Sequence, residues 1–169
     1  GKKIGITALS HKVIINLLDK VQKLAVKQGI AVSIIYKGST NDDGDYPWEM
    51  TKKIDTVVGN ISKYQVIAGT SFMWCNEKLK KSVDYLIIDE AGQFALIDTL
   101  VVSQASKNIV FLGDHQQLKQ PMKGVHPDGT DVSALEHLLE GKKTISEKKG
   151  VFLEKTWRMH PTICSFDSE

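Results

Sequence analysis

Cysteine is scarce in this chain. Cys75 and Cys164 lie far apart with no Cys-x-x-Cys pair, and the five histidines share no metal-ligand spacing with them, which argues against a zinc site. No apolar run approaches membrane-spanning length, and Gly1-Lys2-Lys3-Ile4 lacks the long apolar stretch of a signal peptide, so the chain reads as soluble and cytoplasmic. Charge of one sign is also lacking. With 22 basic against 20 acidic side chains the net charge is +2, so any nucleic-acid surface has to be local rather than global. Internal repeats and low-complexity tracts are absent. What remains is 169 residues, 41% hydrophobic and 25% charged, enough for one globular domain with a core under a sheet. The chain starts shortly before a strand pattern and stops at Asp167-Ser168-Glu169 within a helical one, which points to a piece of a longer protein.

Apolar patterning alternates between two periods. Ile4 to Ala8 is a short apolar run. From Ser10 onward Ile14, Leu17, Leu18, Val21, Leu24 and Ala25 recur at helical spacing, closing at Gly29. A second run, Ala31 to Tyr36, leads into residues 37–45, whose turn composition predicts a surface loop. Pro47 suits a helix first turn, and Met50, Ile54, Val57, Val58 and Ile61 continue at helical spacing before a strand at Gln65 to Ala68. Further strands are expected at Tyr85 to Ile88, Ile109 to Leu112 and Val151 to Leu153, and helices around Phe94 to Ala105 and Ser133 to Leu139. Residues 141–150, rich in lysine, predict a solvated loop. Continuously apolar strands need cover on both faces, so the pattern predicts an α/β fold with a parallel sheet between helices.

In such a sheet ligands collect beyond the carboxyl ends of the strands, so the residues directly after each run carry the chemistry. Tyr85-Leu-Ile-Ile88 is followed at once by Asp89-Glu90. Paired carboxylates there can hold Mg²⁺ with the first acid and orient water with the second, but an acid at a strand-to-helix turn also suits a helix N-cap. The next run ends Gly113-Asp114-His115-Gln116-Gln117-Leu118, where Gly113 permits a tight turn. After Val151 to Leu153 comes Thr156-Trp157-Arg158-Met159-His160-Pro161. Arg158 could stabilise charge on a transferred phosphoryl group, or could equally be a surface cation paired with a carboxylate.

Asp89-Glu90-Ala91, Gly113-Asp114-x-x-Gln117-Leu118 and Trp157-Arg158-Met159-His160-Pro161, in that order, resemble motifs II, III and IV of superfamily 1 helicases, in the branch containing the nonsense-mediated-decay helicase. Thr7-Ala8-Leu9-Ser10-His11-Lys12 with Asn16 is similar to the motif Ia turn of that branch. Ala68-Gly-Thr70-Ser-Phe-Met-Trp74, Gly92-Gln93-Phe94 and the stretch from Gly124 through Leu139 resemble bacterial proteins that join this helicase to a RecB-like nuclease. The resemblance implies an α/β RecA-like fold, with residues 1–169 forming part of a first RecA-like motor domain. It implies ATP and Mg²⁺ as cofactors, single-stranded DNA rather than RNA as partner, and a role in DNA repair. By the same resemblance Asp89 holds Mg²⁺, Glu90 polarises the attacking water, Gln117 touches the terminal phosphate and Arg158 acts as an arginine finger in cis. Ser10, His11 and Thr70 would meet the nucleic-acid backbone. Trp74 could stack on a base, or pack in the core.

The sequence departs from the branch at several points. His11 replaces the usual Asn, His115 a usual Pro, Trp157 a common Tyr and Ile15 a common acid. No Gly-x-x-x-x-Gly-Lys-[Ser/Thr] occurs, so these residues contain no cradle for the β and γ phosphates, and truncation upstream of Ile4 is the expected reason. The second RecA-like domain, the other wall of an ATP cleft, is likewise expected beyond Glu169.

Overall fold

The computed structural model describes residues 1–114, 132–142 and 144–153. By backbone contacts it divides into two compact units, Gly1–Leu138 and Leu139–Glu169.

The first unit is built on six strands, β1 (Ile4–Thr7), β2 (Ile34–Lys37), β3 (Glu49–Thr51), β4 (Val66–Ala68), β5 (Tyr85–Ile88) and β6 (Asn108–Phe111). All pair in parallel, in the spatial order β3-β2-β4-β1-β5-β6. Register sorts the side chains into two faces, because neighbouring residues of a strand point to opposite sides. Ile4, Val66 and Ile34 share one row, and Ile6, Ala68 and Tyr36 the next. That face packs on α1 (His11–Lys27) through Ile14 and Leu18, both fully buried. Burying a leucine or isoleucine in this way stabilises by about 1.5–3 kcal/mol.

The opposite face carries Gly5, Ile67, Ile35 and Leu86. Its cover is the short helix α3 (Ser71–Trp74), whose Trp74 is fully buried and donates Nε1–H to Ile6 O at 3.1 Å. A Cβ on Gly5 would come within 2.8 Å of the Trp74 ring and 2.9 Å of Leu86 Cδ1, so the indole packs against bare backbone. Helices therefore cover both faces, and the fold is the α/β, RecA-like class that the alternating pattern and the motifs imply.

Local signals explain the ends of α1. The Ser10 hydroxyl caps its start by accepting from Val13 N at 3.3 Å. At its end Gly29 adopts φ +66°, with Gly29 N–H bonded to Val26 O at 3.1 Å and Ile30 N–H to Ala25 O at 2.9 Å, the paired bonds of a Schellman close. Two further helices, α4 (Leu96–Val102) and α5 (Ala134–Leu139), lie close to their expected places, and α2 (Ile54–Asn60) fills only the later part of its expected span. None of the described helices is long and apolar enough to cross a membrane.

Two expectations are corrected. Residues 49–51 form the edge strand β3 and α2 begins only at Ile54, because Met50 and Thr51 pair with Tyr36 and Lys37 of β2. The β2–β3 crossover is accordingly a loop, with the rings of Tyr46 and Trp48 stacked at 5.3 Å and packed on the α1 face of the sheet. Val151 to Leu153 is not a strand. Within the second unit these three residues are exposed, following a turn region in which Lys149 Nζ meets Glu140 at 3.1 Å and Gly150 N–H meets Ser146 O at 3.1 Å.

Candidate functional site

Parallel pairing brings the carboxyl ends of β4, β1, β5 and β6 to one edge, in that order. Adjacent strands lie roughly 4.8 Å apart, so the turns after them are immediate neighbours. Thr70 follows β4, Ser10 and His11 follow β1, Asp89 and Glu90 follow β5, and Asp114 follows β6. Two strands, β1 and β5, thus place the expected nucleic-acid turn beside the carboxylate pair.

The carboxylates do not cap a helix. Residues 89–94 form a run of turns, and α4 starts at Leu96 with Ala95 as its cap residue. Asp89 N–H is bonded to Thr7 O at 2.9 Å, and Asp89 Oδ1 accepts from Glu90 N at 3.0 Å. Ala91 N–H donates to Leu112 O at 2.8 Å, tying the turn to the end of β6. A Cβ on Gly113 would sit 2.8 Å from Ala91 N and 3.1 Å from Gly92 N, so glycine there serves close approach to the carboxylate turn.

Glu90 has φ +55°, a left-handed conformation that disfavours side chains. Glycine would relieve about 1–2 kcal/mol of that cost and return about 0.4–1 kcal/mol through a freer unfolded chain. Glu90→Gly should therefore leave urea stability unchanged or slightly raised. A loss above about 2 kcal/mol would mean that the Glu90 side chain itself holds the turn.

Thr7, directly under this turn, is fully buried, and its Oγ1 has no hydrogen-bond partner among the described residues. Its β-branched form, ordinary in a strand, gave no sign of this in the sequence.

On the neighbouring side, Ser10 is exposed with its hydroxyl engaged in the α1 cap. Thr70 precedes α3 without a side-chain cap bond. Trp74, the candidate stacker, is core. Phe72, two residues earlier, is 89% exposed and presents an aromatic ring where Trp74 does not.

His11 is half-buried, with Nδ1 2.7 Å from Tyr36 Oη and the two rings edge to face. Asp42, from the β2–β3 loop, joins this pair. Partial burial pushes its carboxyl up, but hydrogen bonds from Tyr46 (2.8 Å) and the Gly44 amide (3.1 Å), with the Tyr36 phenol and His11 nearby, outweigh that and hold it below the usual carboxylate range. Burial, then the Asp42 charge, pushes the Tyr36 phenol well above its ordinary range. Burial, then the nearby Lys37 charge, lowers the His11 imidazole, against an upward pull from Asp42. Sequence patterning missed this cluster, since a loop of turn composition gives no indication that one of its acids meets a core tyrosine.

Gln117 and Arg158 lie outside the described residues. Among the described residues no group of three histidines, cysteines or acids is placed to hold a metal ion. A single strand-end carboxylate nevertheless fits Mg²⁺, which is held by one or two carboxylates with water and phosphate oxygens completing its shell.

This arrangement, a parallel sheet with paired acids after an interior strand, can be set beside known proteins. Residues 45–122 match the AAA domain family. That stretch runs from the β2–β3 loop through the carboxylate turn and past β6. The chain is also 30% identical over 115 residues, 64% of its length, to the mouse (Mus musculus) 3'-5' exoribonuclease HELZ2, of which it covers 4%. It is 26% identical over 153 residues, 88% of its length, to the Saccharomyces cerevisiae DNA replication ATP-dependent helicase/nuclease DNA2, of which it covers 10%. The chain thus spans a small part of each relative.

Proposed function

We propose that this chain is part of the first RecA-like domain of an ATP-driven motor that moves along single-stranded nucleic acid, within a larger helicase. The observation that carries the reading is the Asp89-Glu90 turn, adjacent acids beyond an interior strand that cap no helix, one of them in a conformation glycine would fill at lower cost. Conformational cost concentrated at a strand end is typical of functional sites. The AAA-domain match and the two relatives support the same reading.

In this mechanism Asp89 supplies the carboxylate for Mg²⁺, which when bound neutralises charge on the phosphate oxygens. Asp89 Oδ1 is already engaged by the Glu90 amide, which fixes the carboxylate plane. Glu90 orients the attacking water and takes up its proton, Gln117 contacts the terminal phosphate, and Arg158 meets charge developing on the transferred group. Phosphoryl transfer needs such positioning and charge neutralisation more than covalent help. The phosphate cradle and the second wall of the cleft come from elsewhere in the larger protein.

Ser10, His11 and Thr70 form the nucleic-acid face, where hydroxyls and the first-turn amides of α1 hold backbone phosphates without reading bases. Phe72 is the ring available for stacking, worth about 1–3 kcal/mol per base. DNA is the favoured track and DNA repair the favoured setting, in a cytoplasmic helicase joined to a RecB-like nuclease. The name of the yeast relative, a DNA replication helicase/nuclease, supports this reading.

A second reading is a nucleic-acid-binding or switch module that never hydrolyses nucleotide. It would have the carboxylates serve as helix caps, a role that the start of α4 at Leu96 does not support. Strand displacement separates the two. The full-length protein should release a labelled strand from a tailed duplex only with hydrolysable ATP and Mg²⁺. Release at the same rate with a non-hydrolysable analogue would favour the binding module.

A further inference from the structure

Thr7 closes β1, the strand that lies between two of the turns given roles above, with β4 and Thr70 on one side and β5 and Asp89 on the other. Both turns are tied to its end. Gly69 N–H, just ahead of Thr70, donates to Ile6 O at 3.1 Å, and Asp89 N–H donates to Thr7 O at 2.9 Å. Three residues further along the chain Ser10 caps α1, which His11 opens. Because strand residues alternate in face, the Thr7 side chain shares the side of Gly5, on which Trp74 packs. There it is fully buried, and its hydroxyl has no hydrogen-bond partner among the described residues.

Such a hydroxyl costs stability, since burial strips it of water and returns nothing. Valine has nearly the same shape, suits a strand as well and carries no polar atom. Packing alone therefore does not call for threonine at this position.

We propose that Thr7 is a positioning residue for ATP turnover, its hydroxyl unpaired in the resting protein and donating to the carboxylate turn once bound strand and nucleotide shift the turns beside it. The inference rests on the motor reading above. A ligand moves a conformational equilibrium only by favouring one arrangement over the other, and the unpaired hydroxyl supplies an energy difference between the two. A strand seated on Ser10, His11 and Thr70 acts on the turns that flank Thr7. The hydrogen bond gained then steadies Asp89 and Glu90 in their roles toward metal and water, while Thr7 touches neither ligand.

The test compares Thr7→Val, which keeps the shape and loses the hydroxyl, with Thr7→Ser, which keeps the hydroxyl, both in the full-length protein. Each is measured twice: the urea midpoint without nucleotide, and Mg-ATP turnover with single-stranded DNA divided by turnover without it. Thr7→Val should leave the midpoint unchanged or raise it, because no bond is lost in the resting protein. Its stimulation ratio should nevertheless fall about two- to tenfold, the worth of one hydrogen bond made only in the working state. Thr7→Ser should recover the ratio. A lowered midpoint in Thr7→Val would reveal a resting partner and overturn the inference. A wild-type ratio in Thr7→Val, or a ratio in Thr7→Ser as low as that of Thr7→Val, would overturn it too and leave the motor reading standing. Wild-type protein without strand-stimulated turnover would overturn the motor reading and this inference with it.

Discussion

Trp74→Ala should destabilise the first unit by about 3–5 kcal/mol, the range for removing a large buried aromatic. The indole is fully buried, lies against the bare backbone of Gly5 and donates to Ile6 O, so its loss opens a cavity and leaves a strand carbonyl without that bond. Gln104 Nε2 also donates to Trp74 O at 3.2 Å, holding the end of α3 in place. Relaxation cannot easily close the gap, because Gly5 has no side chain to move into it. Set against a typical net stability of about 5–15 kcal/mol, a loss of this size is a large fraction of the whole. Urea unfolding followed by circular dichroism would measure it. A change below about 1 kcal/mol would mean that Trp74 is not the keystone of that sheet face. Phe72 rides on the same helix and Thr70 immediately precedes it, so on the proposed reading nucleic-acid affinity should fall together with stability.

The pattern of apolar residues made α1 legible to within a residue or two, since Ser10 and Gly29 bracket seventeen helical residues with conventional start and stop chemistry. Short elements were not legible in this way. Met50 and Ile54 fall at helical spacing, yet Met50 sits in an edge strand because β2 offers it backbone partners, a tertiary gain that local spacing cannot encode. Val151 to Leu153 shows the converse, an apolar run with no strand to pair with among the described residues. In the four-residue α3 there is too little period to decide which aromatic turns inward, and the structure buries Trp74 while exposing Phe72.

At the candidate site, the carboxylate pair was readable because Asp89-Glu90 ends a continuous apolar run. The side-chain types alone left a helix-cap alternative open, and only the start of α4 at Leu96 closes it. The left-handed backbone of Glu90 leaves no trace in residue type. Neither does the Tyr36–His11 contact with Asp42 nearby, which depends on a loop folding back over the end of β2.

Glu90→Gln in the full-length protein should abolish nucleotide turnover while leaving nucleotide binding intact. The substitution keeps size and hydrogen-bonding capacity, and it leaves the Asp89 Oδ1 contact to the residue-90 amide untouched. What it removes is the carboxylate proposed to take the proton from the attacking water, a contribution of about 10²–10⁴-fold in rate where such a base acts. Metal and phosphate contacts assigned to Asp89, Gln117 and Arg158 remain, so ATP affinity should change little. The decisive measurement is Mg-ATP hydrolysis by wild-type and Glu90→Gln full-length protein, each with single-stranded DNA added. Strand-stimulated turnover is expected in the wild type and at least about a hundredfold less in the variant. Equal turnover in the two proteins would contradict the role given to Glu90 and the motor reading built on it.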